Sequence, residues 1–228
     1  MRGALFNLFG FITGSVDLVT LVISLFSVFV IIFLCFPVRE WAHAFVAHLL
    51  GDNTAAEQGR LTLNPLAHID PLGAICMAIC SIGWGKPTPI NLHRCRKVSV
   101  RTAAILVALA GPVANILMAL VFVIISKIIM VTAMTSMTTA YVYAAMLVVA
   151  QINTYLAVLN LLPIPPFDGY TLIQGILPRK QAIWVEGHAQ ILNMIVFVML
   201  VSGLLSVPLG YASDGILWVL DKITFFIH

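Results

Sequence analysis

The chain has 228 residues, 61% of them hydrophobic and 9% charged, with a formal net charge of +3. Soluble domains carry about 25% charged residues, so this composition excludes a water-soluble globular fold and points to an integral membrane protein. The small basic excess sits in loops, where it reads as a membrane-orientation signal and not as a nucleic-acid footprint.

The N-terminal stretch Ala4 to Ile12 is short and apolar. No small-x-small signature precedes the first long apolar run, so no cleaved leader is expected. Leu18 to Phe36 is uncharged and, at about 1.5 Å per helical residue, long enough to cross a hydrocarbon core of about 30 Å. Thr102 to Ser126, Tyr141 to Leu162 and Ile191 to Leu209 predict three further spans. The last stretch interrupts its apolar residues with Asp214, Asp221 and Lys222 and predicts an interfacial helix. The count is therefore four spans, or six if both ends also enter the bilayer. The whole chain reads as one membrane domain, with a core over about 18–175 and C-terminal transmembrane and interfacial helices over 176–228.

Between the first two spans, Pro71 to Trp84 is apolar but too short to cross and predicts a re-entrant segment. LTLN (Leu61 to Asn64) and PTPINL (Pro87 to Leu92) flank it as short extended pieces, because proline and β-branched residues disfavour helix. Gln58, Arg60 and Asn64 are expected to organise this loop. Asn115 and Asn153 are expected to be structural, Asn115 by bonding across helices. Gly111, Ala114 and Gly203 allow close helix packing.

Arg94, Arg96, Lys97 and Arg101 precede the second span, and Arg179 and Lys180 follow the third. The turn at 128–140 carries no charge. Two spans separate the basic loops, so both lie on one side, which the positive-inside rule makes cytoplasmic. Cys35, Cys76, Cys80 and Cys95 form no CxxC pair and read as small buried residues. Cys76 and Cys80 share a helix face, but no second pair completes a zinc site.

Two polar clusters interrupt the apolar sequence, and polar groups at membrane depth are candidate functional sites. The first is REWAH, Arg39 to His43, where positions 39 and 43 share a helix face. With His at both ends the pattern would be HExxH, in which two imidazoles hold zinc and the Glu takes a proton from bound water. The second is NLLPIPPFDG, Asn160 to Gly169, which places Asp168 in a Pro-rich turn directly after an apolar span. Taken alone, each cluster also reads as ordinary turn chemistry.

Three blocks together resemble the site-2 protease family of intramembrane zinc metalloproteases in its short bacterial form. REWAHAFVAHLLGD is similar to the family's HExxH helix. GRLTLNPLAHIDPLG with GWGKPTPIN is similar to its loop, and NLLPIPPFDG to its Asn-Pro-Asp-Gly motif. AGPVAN, Ala110 to Asn115, fits the second core helix, and the match runs over about residues 36–175 in order and spacing. The resemblance implies an all-α polytopic membrane protein with a three-helix core and a small re-entrant β element, in a bacterial plasma membrane.

By that resemblance Glu40 is the general base, His43 and Asp168 are zinc ligands, and Asn160 is the motif Asn. Asn64 and His68 join Arg39 as residues lining the site. The implied partners are a transmembrane-helix substrate or client and membrane lipid, with no nucleic acid.

Arg39 stands where the first zinc ligand belongs, and a guanidinium has no lone pair to offer a metal. His48 is five residues from His43, about 140° around the helix, and cannot replace it. His68 lies in the re-entrant region at a position typical of the family and not at a known ligand position. His93 reads as surface, His188 as loop and His228 as terminus. Two functions follow: a zinc-dependent intramembrane endopeptidase, or a metal-free relative that binds transmembrane helices as a regulator or chaperone. A transporter would need paired broken helices or repeats, which the sequence lacks. In a metal-free chain, Arg39 is expected to pair with Asp168 within about 4 Å where zinc would sit. Glu40, its neighbour, points about 100° away.

Overall fold

The computed structural model describes residues 4–80, 83–133 and 136–227. The described residues are almost wholly helical. α1 (Ala4–Ile12) lies against α2 (Leu18–Val30), whose N-cap Asp17 accepts from Thr20 N. α2 runs through a π-helical stretch, Ile31–Cys35, into α3 (Phe36–Leu50), making one span from Leu18 to Leu50. The π stretch has a physical reason. Pro37 lacks an N–H and crowds the carbonyl four residues back, and a widened turn just before it relieves both problems without ending the helix. α3 stops at Gly51, whose φ of 109° is a left-handed conformation that glycine adopts without strain.

The loop to the next span contains α4 (Thr54–Glu57), α5 (Pro65–His68) and α6 (Pro71–Cys80). Its organiser is Asp52, which is buried and accepts from Thr54 N at 3.0 Å, from the Thr54 hydroxyl, and from Asn91 N at 2.6 Å. Burial pushes the Asp52 carboxyl up, but these hydrogen bonds and Arg94 nearby hold it below the usual carboxylate range. The buried Arg60 donates to Lys86 O at 2.6 Å and closes the loop from the other side.

α7 (Val100–Thr132) and α8 (Met137–Asn160) are the other two long spans and form the most extensive helix pair of the fold. Ser99 caps α7 by accepting from Thr102 N, and Ser136 with Thr139 forms a capping box on α8. After α8, α9 (Asp168–Ile176) folds back onto α7. Arg101 fixes that return by donating to Gly175 O, and to Ile176 O at 2.6 Å, at the end of α9. α10 (Arg179–Gly187) and α11 (Ala189–Val201) follow, bent by 61° at their junction. α12 (Ser206–Ile223) packs along α8 and α7.

Among the described residues three helices are long and apolar enough to cross a membrane, and a fourth crossing requires the bent α10–α11 pair to count as one. Three sequence expectations change. The predicted span Ile191 to Leu209 is two helices, because the chain turns at Gly203, whose φ is 77°. The interfacial helix expected at the C-terminus is α12, which starts earlier and lies against the spans. Of its charged residues, Asp221 is tolerated there because it pairs with Lys127 at 2.9 Å.

The re-entrant β element reduces to one antiparallel bridge, Ile69 with Gly85, among the described residues. Most of the apolar run between them, expected as a re-entrant segment, is α6. Residues 81 and 82 of that run, 134 and 135 of the charge-free turn, and the side chains of Cys80 and Arg179 lie outside the description. Gly73 and Gly83 let the two arms of the loop meet: a Cβ on Gly73 would stand 2.0 Å from Trp84 O.

Candidate functional site

Arg39, Glu40, His43 and Asp168 come together where α3, α7 and the start of α9 meet. Arg39 is about 16 Å along the helix from Leu50 at ~1.5 Å per residue, which puts the cluster well inside the span. Its guanidinium holds the Asp168 carboxylate as a fork. Nη2 is 2.8 and 2.9 Å from the two oxygens, and Nε is 3.2 Å from Oδ2. The ion pair expected from the sequence is therefore present. The two side chains are only 17% and 15% exposed, so water screens the pair little.

Glu40 is also engaged, contrary to the expectation that it points away. Arg39 Nη1 donates to Glu40 Oε1 at 2.7 Å. A guanidinium carries five donors in a plane on a long stem, so one cation bridges two carboxylates that neighbouring Cα directions would separate. The other Glu40 oxygen accepts from Thr88 N at 2.9 Å, and the Thr88 hydroxyl donates to Glu40 O at 3.0 Å. The extended PTPINL segment thus docks on α3 beside the cluster. Sequence reasoning did not find Thr88, because its contribution to the carboxylate is a backbone N–H with no side-chain signature.

His43 is buried, and its Nδ1 donates to Val107 O at 2.8 Å. That bond turns Nε2 toward Asp168 Oδ2, 3.3 Å away, where it lacks good hydrogen-bond geometry. The floor under both groups is Gly111 on α7. A Cβ there would lie 2.5 Å from His43 Nε2 and 3.0 Å from Asp168 Oδ2. The sequence had marked Gly111 for helix packing; here it leaves room for the site itself.

The other sequence candidates share no hydrogen bond or ion pair with this cluster among the described residues. Asn160 is buried at the end of α8 and donates back to Leu156 O at 2.8 Å. Asn64 is exposed and caps α5 by accepting from Leu66 N. Both nitrogens of the buried His68 are committed to the loop: Nε2 donates to Thr62 O at 2.7 Å, and Nδ1 faces Arg60 Nη2 at 3.5 Å. Asn115 is fully buried, but neither atom of its amide has a partner among the described residues, so the expected interhelical bond is not made.

A catalytic zinc takes three protein ligands and a water. His43 Nε2 and Asp168 Oδ2 have roughly the separation of two ligands on one tetrahedral ion with bonds of about 2.0–2.2 Å. Beside them the Arg39 guanidinium grips both oxygens of Asp168 and has no lone pair to offer a metal. No three His, Cys, Asp or Glu side chains gather at metal-binding distance among the described residues. The donor set does not fit a catalytic zinc.

A polytopic helical protein with a Glu, a His and an Asp converging inside its spans has the layout of an intramembrane peptidase. Residues 124–203 match the profile of "Peptidase family M50". The chain is 34% identical over 194 residues to a Bacillus subtilis (strain 168) protein named "Putative zinc metalloprotease YwhC", covering 82% of this chain and 88% of that protein. It is 27% identical over 187 residues to "Putative zinc metalloprotease Rip2" of Mycobacterium tuberculosis (strain ATCC 25618 / H37Rv), covering 80% of this chain and 68% of the relative. No solved structure matches. The chain belongs to peptidase family M50, the site-2 protease family, whose members are by family intramembrane zinc metalloproteases.

Filling the floor of the site should be costly. Gly111→Ala is expected to lower unfolding stability by about 1–3 kcal/mol, because the His43 ring is pinned to Val107 O and cannot give way. Gly210→Ala, whose added Cβ meets nothing, serves as the control. Thermal unfolding of the two variants in detergent compares them directly; equal stability would mean that His43 and Asp168 do not rest on Gly111.

Proposed function

We propose that this chain uses the family's membrane-embedded site to bind transmembrane segments of other proteins without hydrolysing them, as a regulator or chaperone. The observation that carries this reading is the Arg39 fork on Asp168. One permanent cation engages the carboxylate that would ligate zinc and the Glu40 carboxylate that would serve as base. Under this reading no metal is required, and the partners are transmembrane proteins and lipid. Glu40, His43 and Asp168 then act as site-lining residues, with Asn160, His68 and Asn64 supporting the surrounding turns, in one membrane domain over residues 1–228.

The same loops suggest an orientation in a bacterial plasma membrane. Arg94, Arg96, Lys97 and Arg101 lie on the side of the bundle where α3 ends and α7 begins, and the positive-inside rule makes that side cytoplasmic. In intact cells, an impermeant thiol reagent should label Thr138→Cys and leave Val98→Cys unmodified. The opposite pattern would invert the topology.

A second reading, a zinc-dependent intramembrane endopeptidase, is favoured by the His43–Asp168 spacing of 3.3 Å and by the names of the relatives. It requires Arg39 to leave Asp168. Metal content separates the two. Protein purified without added metal should carry well under one zinc per chain. Arg39→His, which supplies the missing imidazole, should approach one. The wild type should also leave a transmembrane reporter substrate intact when zinc is added. Tight zinc at one per chain in the wild type, or cleavage of the reporter, would establish the second reading.

A further inference from the structure

α12 turns a carboxylate outward from the bundle at the depth of a membrane span. Its inner face, Leu209, Ser213 and Leu220, is buried against α7 and α8, while Tyr211, Asp214 and Trp218 lie on the exposed side. Among the described residues Asp214 accepts one hydrogen bond, from Gln151 Nε2 at 2.9 Å. Gln151 sits roughly 21 Å from one end of α8 and roughly 14 Å from the other, at 1.5 Å per residue. The carboxylate is therefore far from either end of the span.

A carboxylate facing hydrocarbon is costly and needs a cation or several donors. No ion pair among the described residues includes Asp214. From α8, Gln151 supplies a single neutral donor. From α7, Lys127 is occupied by Asp221 Oδ1 at 2.9 Å and by the carbonyls of Asp221 and Thr224. On α12 itself, Lys222 is two turns away with its Nζ 5.9 Å from the centre of the Trp218 ring. Gly210 and Gly215 flank Asp214, and an added Cβ at either would meet nothing, so another helix backbone could approach closely there.

We propose that this outward face of α12, centred on Asp214, docks a transmembrane helix of another protein that carries a lysine or arginine at the same depth. Charge selects the partner. Two copies of this chain share one topology, so in a symmetric dimer their α12 helices would run parallel and set Asp214 against Asp214. A cationic helix satisfies the carboxylate; a second copy does not. This surface is separate from the Arg39 site, and the inference stands whether or not the chain hydrolyses peptides.

The test uses the purified full chain in phosphatidylethanolamine–phosphatidylglycerol vesicles and a labelled leucine–alanine transmembrane peptide. Energy transfer reports association of that peptide with one central lysine, and of the same peptide with leucine there. The lysine peptide should associate at least about tenfold more tightly, as expected for one membrane-buried charge pair. Asp214→Asn should abolish the preference, and Asp214→Glu should retain it. Because Asp214 is exposed, Asp214→Asn should unfold at the wild-type temperature. Equal association of the two peptides, or a preference that survives Asp214→Asn, would overturn the proposal. So would self-association of the chain that Asp214→Asn abolishes.

Discussion

An ionised carboxylate at membrane depth needs a cation close by, and in this chain Arg39 supplies it to Asp168 and shares it with Glu40. In a metalloprotease a divalent ion would meet that demand and at the same time tie the helices around it. Here a guanidinium spans the same gap. It reaches from α3 to the first residue of α9 and holds both oxygens of Asp168. Removing one partner of such a buried pair typically costs 3–5 kcal/mol, because the other charge is left without compensation. This contact anchors the start of α9, as Arg101 anchors its end.

The surrounding structure is built as a socket for it. Gly111 keeps α7 out of the space that His43 and Asp168 occupy. Val107 O orients the His43 ring. Thr88 brings the re-entrant loop against Glu40, so the loop, the first span and the second span meet at one point. Asp52 and Arg60 stabilise the same loop further out. Glu40, His43 and Asp168 are thus held together at one point of the bundle, with a cation that has no lone pair for a metal between the two carboxylates.

Much of this was legible in the sequence where one residue type admits little choice. Uncharged runs marked the three long spans, because hydrocarbon tolerates few alternatives. Arg39 and Asp168 could be matched because a buried carboxylate and a permanent cation in the same region each need a partner. What the sequence hid depends on distant contacts. Hydropathy counts Asp221 against a membrane helix and cannot credit Lys127, a remote residue that neutralises it. The apolar run ending at Leu209 looked continuous because the break is a backbone conformation at Gly203. The PTPINL segment read correctly as a short extended piece, but nothing in it showed that it docks on α3 and that Thr88 secures Glu40.

The central claim is that Arg39 and Asp168 act as one unit in place of a metal. A double-mutant cycle on unfolding stability in detergent tests it most directly, comparing wild type, Arg39→Ala, Asp168→Asn and the double variant. Arg39→Ala should cost markedly more in the wild-type background than in Asp168→Asn, with a coupling in the range of about 0.5–3 kcal/mol found for groups in direct contact. Equal losses in the two backgrounds would show that the residues are uncoupled and that the guanidinium does not hold the metal's place.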